Sequence, residues 1–362
     1  FIKSQTLPFC IMPAMVYSNM KKTPTIHIIW ALPSVLGLRR KNGWALNSAF
    51  TEFLNMAVPS ATNNIVIRFD MRSSPLCKDA SADRYQAALE MATWADDQVI
   101  NVVGLSEHHY TSDGFLSAPL QLAGMMIALT KRIRVSVSAL LVPLHDPLRL
   151  AEDISLIDQV AQGRFSVTCG LGYREEEYQS FGVEWSQRGK VFDEKLDLLM
   201  QTLKGEYSLY SEDSTPLNPL PVSKINSLVM IGGNSKAAAL RAARLGLHFC
   251  PAIDDIELKK MYKDACRMYG VKHAFIIFPG EPATTFISHD PAEGWKDIGE
   301  HLMYDAKAYG MWHHPNRRAY AESFASNIEE LKREGKYRVL SPEQALESIK
   351  KTGSLHLAPL TG

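Results

Sequence analysis

The sequence predicts an α/β fold on a parallel sheet, closed as a (β/α)8 barrel of the TIM type. Short apolar runs alternate with stretches of helical period seven or eight times between residues 64 and 362. These runs are too uniformly apolar to be half exposed, as expected of a sheet covered on both faces. Eight such units over about 300 residues suit a barrel. A doubly wound open sheet is the alternative, and no GxGxxG turn follows the first run to support it.

The elements follow in order. Ile65-Val66-Ile67-Arg68-Phe69 is the first β-type run. Ser81 caps a helix over 82–98, with Tyr85, Ala88, Leu89, Ala92 and Ala95 at helical spacing. Residues 100–105 form the second strand, 118–130 a helix, and 133–142 a third strand rich in β-branched and small residues. Asp146-Pro147 is an N-cap followed by proline at the first helical position, and Gly163 stops that helix. Residues 164–169 are the fourth strand, and 187–204 a helix. A Ser/Pro-rich loop follows over 211–223. Strands at 228–231, 247–250 and 273–278 alternate with helices at 235–245 and 256–269. Residues 280–336 read as a long aromatic-rich insertion with helices. Ser341-Pro342-Glu343-Gln344 opens a last helix, and 355–357 is the eighth strand.

Residues 1–63 show no convincing period and read as an N-terminal extension, with Met56 a candidate start and residues 64–362 the barrel domain. Lys21-Lys22 and the apolar stretch 25–38 faintly resemble a signal peptide. His27, Pro33 and Arg39-Arg40-Lys41 count against it, and the stretch is short for a membrane span. Lys+Arg and Asp+Glu balance at 39 each, and no basic tract favours nucleic acid. A protein acting on small molecules fits this composition. The five cysteines, Cys10, Cys77, Cys169, Cys250 and Cys266, form no CxxC pair. The pattern argues against a disulfide framework or a metal site and for the cytoplasm.

The second strand ends in Glu107-His108-His109-Tyr110-Thr111. The C-terminal ends of barrel strands are where chemistry sits, and histidine titrates near neutrality. On these residues alone, two histidines satisfied by neighbouring carbonyls are the alternative to a catalytic pair.

Three stretches in this order resemble the bacterial luciferase family of flavin-dependent monooxygenases and oxidoreductases. The first is Glu107 to Thr111. The second runs from Leu141-Val142-Pro143-Leu144-His145-Asp146-Pro147 through Glu152-Asp153 to Gly163-Arg164-Phe165. The third is Ile231-Gly232-Gly233-Asn234-Ser235 with Ala242-Ala243-Arg244-Leu245-Gly246. The resemblance covers about residues 64–362 and implies a flavin at the C-terminal ends of the strands. It implies reduced FMN from a separate reductase, a flavin hydroperoxide that oxidises a small organic substrate, and often a homodimer. His108 is then the catalytic histidine. His109 stands beside it, and Glu107 either orients an imidazole or closes a buried ion pair.

The resemblance also places a non-proline cis peptide at Ser138-Ala139, where small side chains admit the flavin ring. It places the phosphate at the Gly232-Gly233-Asn234-Ser235 turn with Arg188 as a cation, where a helix start supplies N–H groups. Cys169 matches a reactive thiol position, although buried packing is the commoner role of such a residue. Gly170 stands where luciferases carry a second phosphate arginine. This departure keeps a deazaflavin-dependent hydride-transfer enzyme open, and a non-catalytic flavin-binding protein is a third reading.

Glu175-Glu176-Glu177 reads as a solvated loop face, Arg149 as a structural partner of Glu152 and Asp153, and Gly163-Arg164-Phe165 as structural. The aromatic group Trp295, Tyr304, Tyr309, Met311 and Trp312 with His313-His314 reads as a substrate-pocket lining or as a satellite core. Relatives usually continue past the eighth strand into a final helix, whereas this chain reaches Pro359-Leu360-Thr361-Gly362 there. A barrel without that helix is expected to expose apolar surface between its first and seventh helices.

Overall fold

The computed structural model describes residues 48–57, 64–77, 81–207, 215–278, 284–312 and 323–358. Its centre is one all-parallel sheet. The strands are β1 (Asn64–Phe69), β2 (Val102–Leu105), β3 (Arg134–Leu141), β4 (Phe165–Gly170), β5 (Val229–Gly232) and β6 (His248–Cys250). They continue with β7 (Thr284–Ile287), β8 (Tyr337–Leu340) and β9 (Ser354–Leu357). Their order is β6-β5-β4-β3-β2-β1-β9-β7-β8. The run 274–278 meets the β6 edge of this order, and β7 lies near its other end. Ile276 bridges Phe249 beside β6, and Thr284 pairs with His356 on β9. The sheet therefore comes round on itself as an α/β barrel, with β8 added outside β7.

The helices are α1 (Ser48–Met56), α2 (Ser81–Asp96), α3 (Pro119–Leu129), α4 (Pro147–Ala161), α5 (Glu175–Ser180) and α6 (Arg188–Leu203). The second half has α7 (Ile225–Leu228), α8 (Lys236–Arg244), α9 (Ile256–Met268), α10 (Pro291–Met311), α11 (Ile328–Glu334) and α12 (Pro342–Thr352). The cap signals act as the sequence predicts. Asp146 accepts from the amides of Leu148 and Arg149, and Ser341 and Gln344 form a reciprocal capping box. Arg164 donates to the carbonyls of Ile133 and Ile127, and Arg149 pairs with Glu152 and Asp153.

Strand seven differs from expectation. The run 273–278 contributes only the Ile276 bridge, with bonds to and from Phe249. Prolines at 279 and 282 lack the amide that a longer ladder needs. The regular strand is Thr284–Ile287, inside the stretch read as an insertion, and it pairs with both β8 and β9.

Within the stretch read as an extension, α1 buries Ala49, Phe50, Phe53 and Leu54. It packs on α12 and touches β7, and the Phe50 ring lies 5.9 Å from Trp94 of α2. His289 anchors its start through Ser48 Oγ at 3.0 Å. The apolar seam between α2 and α12 is thus covered by α1. The leader-like stretch 21–41 and the Pro359–Gly362 end lie outside the described residues.

Phe53 is fully buried. Phe53→Ala is expected to cost about 3–5 kcal/mol, the range for emptying a buried aromatic site. Urea unfolding checks this, and a loss below ~1 kcal/mol would show that α1 contributes little to the barrel wall.

Candidate active site

Parallel strands gather their C-terminal ends at one mouth of the barrel, and the loops leaving β1 to β4 build the site there. β1 ends in Asp70-Met71-Arg72, β2 in Ser106 to His109, β3 in a bulge and the turn to His145, and β4 in Gly170 to Arg174.

His108 is nearly sealed at 5% exposure, and both ring nitrogens are engaged. Nδ1 lies 2.9 Å from Glu177 Oε1, and Nε2 lies 2.9 Å from the Tyr173 hydroxyl. An ionised carboxylate only accepts, so Nδ1 carries the hydrogen and Nε2 accepts from Tyr173. Burial lowers the His108 pKa below its ordinary value despite the Glu177 bond. Burial works to raise Glu177, but the bonds from His108 and the His109 amide and the Arg174 charge outweigh it. The result is a neutral imidazole in a fixed tautomer, aligned between a carboxylate and a phenol. Burial also raises the Tyr173 hydroxyl well above its ordinary value, so it stays protonated.

Glu177 was read from sequence as part of a solvated charge run. Its side chain is fully buried, and the correction has a simple cause. α5 turns Glu177 and Tyr178 inward while Glu175 and Glu176 stay outside. Arg174 closes the arrangement, donating to Glu177 Oε1 at 3.0 Å and to the His109 carbonyl at 2.8 Å.

Glu107 organises the second histidine. Its Oε1 accepts from His109 Nε2 at 2.8 Å and His145 Nε2 at 2.7 Å, and its Oε2 accepts from the Leu141 amide. Burial acts to raise its pKa, but the two histidine bonds bring it down to about 2. The ligand atoms of Glu107, His109 and His145 lie within 4.8 Å of one another, a donor set of two imidazoles and a carboxylate. Their N···O separations are those of direct hydrogen bonds, which account for the cluster on their own. Glu107 thereby pins the end of β2 to the β3–α4 turn.

The Ser138-Ala139 peptide is cis, and the β3–β4 register shifts between Ser138 and Leu140. Ser138 is exposed although it lies inside the nine-stranded sheet, so it faces the open mouth. A Cβ placed on Gly170 would stand 2.6 Å from the Ala139 Cβ. In this arrangement a side chain at 170 would require Ala139 to shift. Cys169 is fully buried, and desolvation pushes its thiol up to about 12, which leaves it a packing residue.

The expected phosphate turn is shaped by close approach. A Cβ on Gly232 would meet Thr168 at 2.9 Å, and Gly233 has φ +123°. Ser235 caps α8 by accepting from Ala238 N, and Asn234 Oδ1 accepts from Ala252 N. Arg188 donates to the Trp185 carbonyl at 2.8 Å and lies 3.8 Å over the Trp185 ring. It stands at the start of α6, and these contacts go to Trp185 rather than to the glycine turn.

The sequence reading missed Arg72, Tyr173 and Glu177. Arg72 is completely buried, 3.2 Å from Asp113 and 2.6 Å from Asp305. Its guanidinium lies 4.5 to 5.0 Å from the Tyr309, Trp312 and Phe115 rings. The Trp312 ring lies 4.7 Å from His108. The aromatic group named from sequence is therefore divided. Tyr309 and Trp312 stand at the site, Trp295 belongs to a separate core, and Met311 is exposed. Tyr304 reaches Asp113, and His313-His314 lie outside the described residues.

The chain belongs to the luciferase-like monooxygenase family, whose profile matches residues 67–352. It is 23% identical over 204 residues to the alkanal monooxygenase beta chain of Vibrio harveyi, covering 54% of this chain and 63% of that one. It is 24% identical over 252 residues to the Photorhabdus luminescens beta chain, covering 67% and 75%. A rhizobial protein of Sinorhizobium fredii, y4vJ, is 28% identical over 182 residues, 49% and 52% of the two chains. The chain thus spans about half to two thirds of the curated relatives it matches first. Among solved structures, monooxygenase RslO1 of Streptomyces bottropensis superposes with TM-score 0.63 at 20% identity, covering 82% and 91%. An F420-dependent secondary alcohol dehydrogenase superposes with TM-score 0.56 at 17% identity, covering 82% and 92%. The structural likenesses show the barrel fold, and the profile match places the chain in the family.

Glu177→Gln removes the charge that sets the His108 tautomer. Turnover is expected to fall roughly 100-fold, with the fold intact. Nitrogen-15 NMR of His108 should show the hydrogen on Nδ1 in the wild type and a mixed population in the variant. An unchanged tautomer would remove Glu177 from this role.

Two buried groups titrate in opposite senses. Burial, with Arg68 and Arg338 nearby, lowers His356 to about 4, and burial with the Asp305 charge raises Asp70 to about 7. As pH falls from 6.5 towards 4, the unfolded chain gains a proton at His356 that the folded state refuses, so stability drops. At Asp70 the folded state holds a proton that the unfolded chain has released, so stability drops as pH rises from 4 to 7. The two slopes offset. His356→Gln should therefore gain on the order of 2 kcal/mol relative to wild type between pH 7 and pH 4.5. Parallel urea curves at the two pH values would rule this out.

Proposed function

We propose that the protein is a flavin-dependent monooxygenase that binds reduced FMN over the β3 bulge and oxidises a small organic substrate beside His108. Ser138 carries this reading. It is open at the mouth, on the strand paired with the one that leads into His108. Ser138 and Ala139 give a floor of small side chains, and Gly170 lets that floor sit against β4. A flat ring system fits such a floor. Reduced flavin, when bound, would supply the electrons and activate oxygen.

The chain's own residues do the rest. His108, held by Glu177, takes or returns a proton at Nε2 through Tyr173. Glu107 keeps His109 and the β3–α4 turn in register. The Gly232-Gly233-Asn234-Ser235 turn offers backbone N–H groups to the phosphate, and Arg188 joins it by leaving the Trp185 carbonyl. A separate flavin reductase, a homodimer and a cytoplasmic setting belong to the same proposal. Exposed Met125 and Leu129 on α3 and Leu156 and Val160 on the adjacent α4 support the homodimer. Among the described residues no helix is long and apolar enough to cross a membrane, and no disulfide joins Cys77, Cys169, Cys250 and Cys266.

Gly170 favours a second reading, hydride transfer with a deazaflavin, because one phosphate cation is absent there. A flavin-binding protein without turnover is the third. Anaerobic titration with reduced FMN and reduced deazaflavin, followed by oxygen, separates them. The expected result is tight FMN binding, an oxygenated absorption band, and loss of turnover but not of binding in His108→Ala. Preference for deazaflavin moves the assignment to hydride transfer. Equal, negligible turnover in wild type and variant moves it to the binding protein.

A further inference from the structure

A cleft opens where β9, β1 and β2 end, on the side of the mouth away from the Gly232 turn. Arg68, Asp70, Ser106, Asp305, Tyr309 and His356 line it. We infer that this cleft is the substrate's anchoring subsite and that it takes a carboxylate group, with Arg68 as its cation. The inference rests on the monooxygenase reading and names the substrate class for that site.

Four observations carry it. Arg68 lies on the inner face of β1, beside Gly104, and its Nη2 lies 3.2 Å from Ser106 Oγ, which fixes the guanidinium plane. A planar fork held in this way suits a carboxylate. The acids in the wall do not oppose an anion as they first seem to. Asp305 is engaged by Arg72 at 2.6 Å and by the Tyr337 hydroxyl at 2.6 Å. Burial and the Asp305 charge push Asp70 up to about 7, and its Oδ1 is already engaged by the Arg72 amide. His356 feels both Arg68 and Arg338, so two cations act on one side of the cleft. The cleft is also next to the chemistry. Ser106 is two residues before His108, and Tyr309 meets the Trp312 ring edge-on, with the Trp312 ring 4.7 Å from His108.

A phosphate has the same charge chemistry as a carboxylate and would come from the cofactor. The glycine turn that suits it follows β5, and β2, β3 and β4 separate that strand from β1 in the sheet. The position therefore assigns the cleft to the substrate.

The test uses the full chain and the probes butyrate and butyramide, which differ in charge but hardly in shape. Binding is read by saturation-transfer NMR, and FMN and riboflavin affinities are measured on the same samples. Butyrate should bind at least tenfold more tightly than butyramide in the wild type and in Arg68→Lys. Arg68→Gln should abolish that preference and leave FMN affinity unchanged. Equal binding of the two probes, or an unchanged preference in Arg68→Gln, overturns the inference. Loss of FMN but not riboflavin affinity in Arg68→Gln also overturns it, by giving the cleft to the cofactor phosphate. Failure of the wild type to bind FMN would instead remove the monooxygenase reading, and the butyrate preference would still be scored.

Discussion

The buried charge of Arg72 is the constraint around which the site is arranged. A guanidinium with no exposure costs several kcal/mol unless carboxylates and hydrogen bonds compensate it. Here the compensation comes from two distant places, Asp113 in the loop after β2 and Asp305 on α10. Meeting that demand draws α10 across the mouth. Tyr309 and Trp312 come with it and stack on the guanidinium, so the last turn of α10 ends over His108. One ion cluster thus sets the distance between the loops after β1 and β2 and the helix above them.

The two acids of the site divide their work. Glu107 joins two strand ends and leaves His109 with a fixed partner. Glu177 reaches in from α5 and fixes the hydrogen on His108. Each carboxylate is buried, and each is kept ionised by donors rather than by solvent. The bulge beside them depends on shape instead of charge. Glycine at 170 lets Ala139 sit close to β4, where a Cβ would stand 2.6 Å from the Ala139 Cβ.

Much of the barrel was legible because buried parallel strands appear as short apolar runs and helices carry caps. β1 to β6 and their helices lie within a few residues of the expected positions. Thr284–Ile287 and Tyr337–Leu340 were hidden because Thr284, Thr285 and Arg338 break their apolar runs and an aromatic-rich stretch adjoins them. In α1, the spacing of Ala49, Phe50, Phe53 and Leu54 is helical, but the long stretch before it obscured the pattern. The Glu107-His108-His109 cluster was visible because titratable groups end an apolar run. Glu177 was not visible, because three consecutive acids look alike until a helix turns one of them inward. Tyr178 beside it was the available sign that α5 has a buried face. Arg72 lies in a loop without period, and charge alone does not reveal burial.

The packing of α1 on α12 makes two ends of the described chain neighbours in space. In a nascent polypeptide α1 leaves the ribosome long before α12 exists. Phe50, Phe53 and Leu54 must remain uncovered, or be held by a chaperone, until α12 has been made. Contacts between such distant segments form slowly, because loop closure must come first. Assembly of the wall is therefore a late event, and the period before it is when an emerging chain is most open to aggregation.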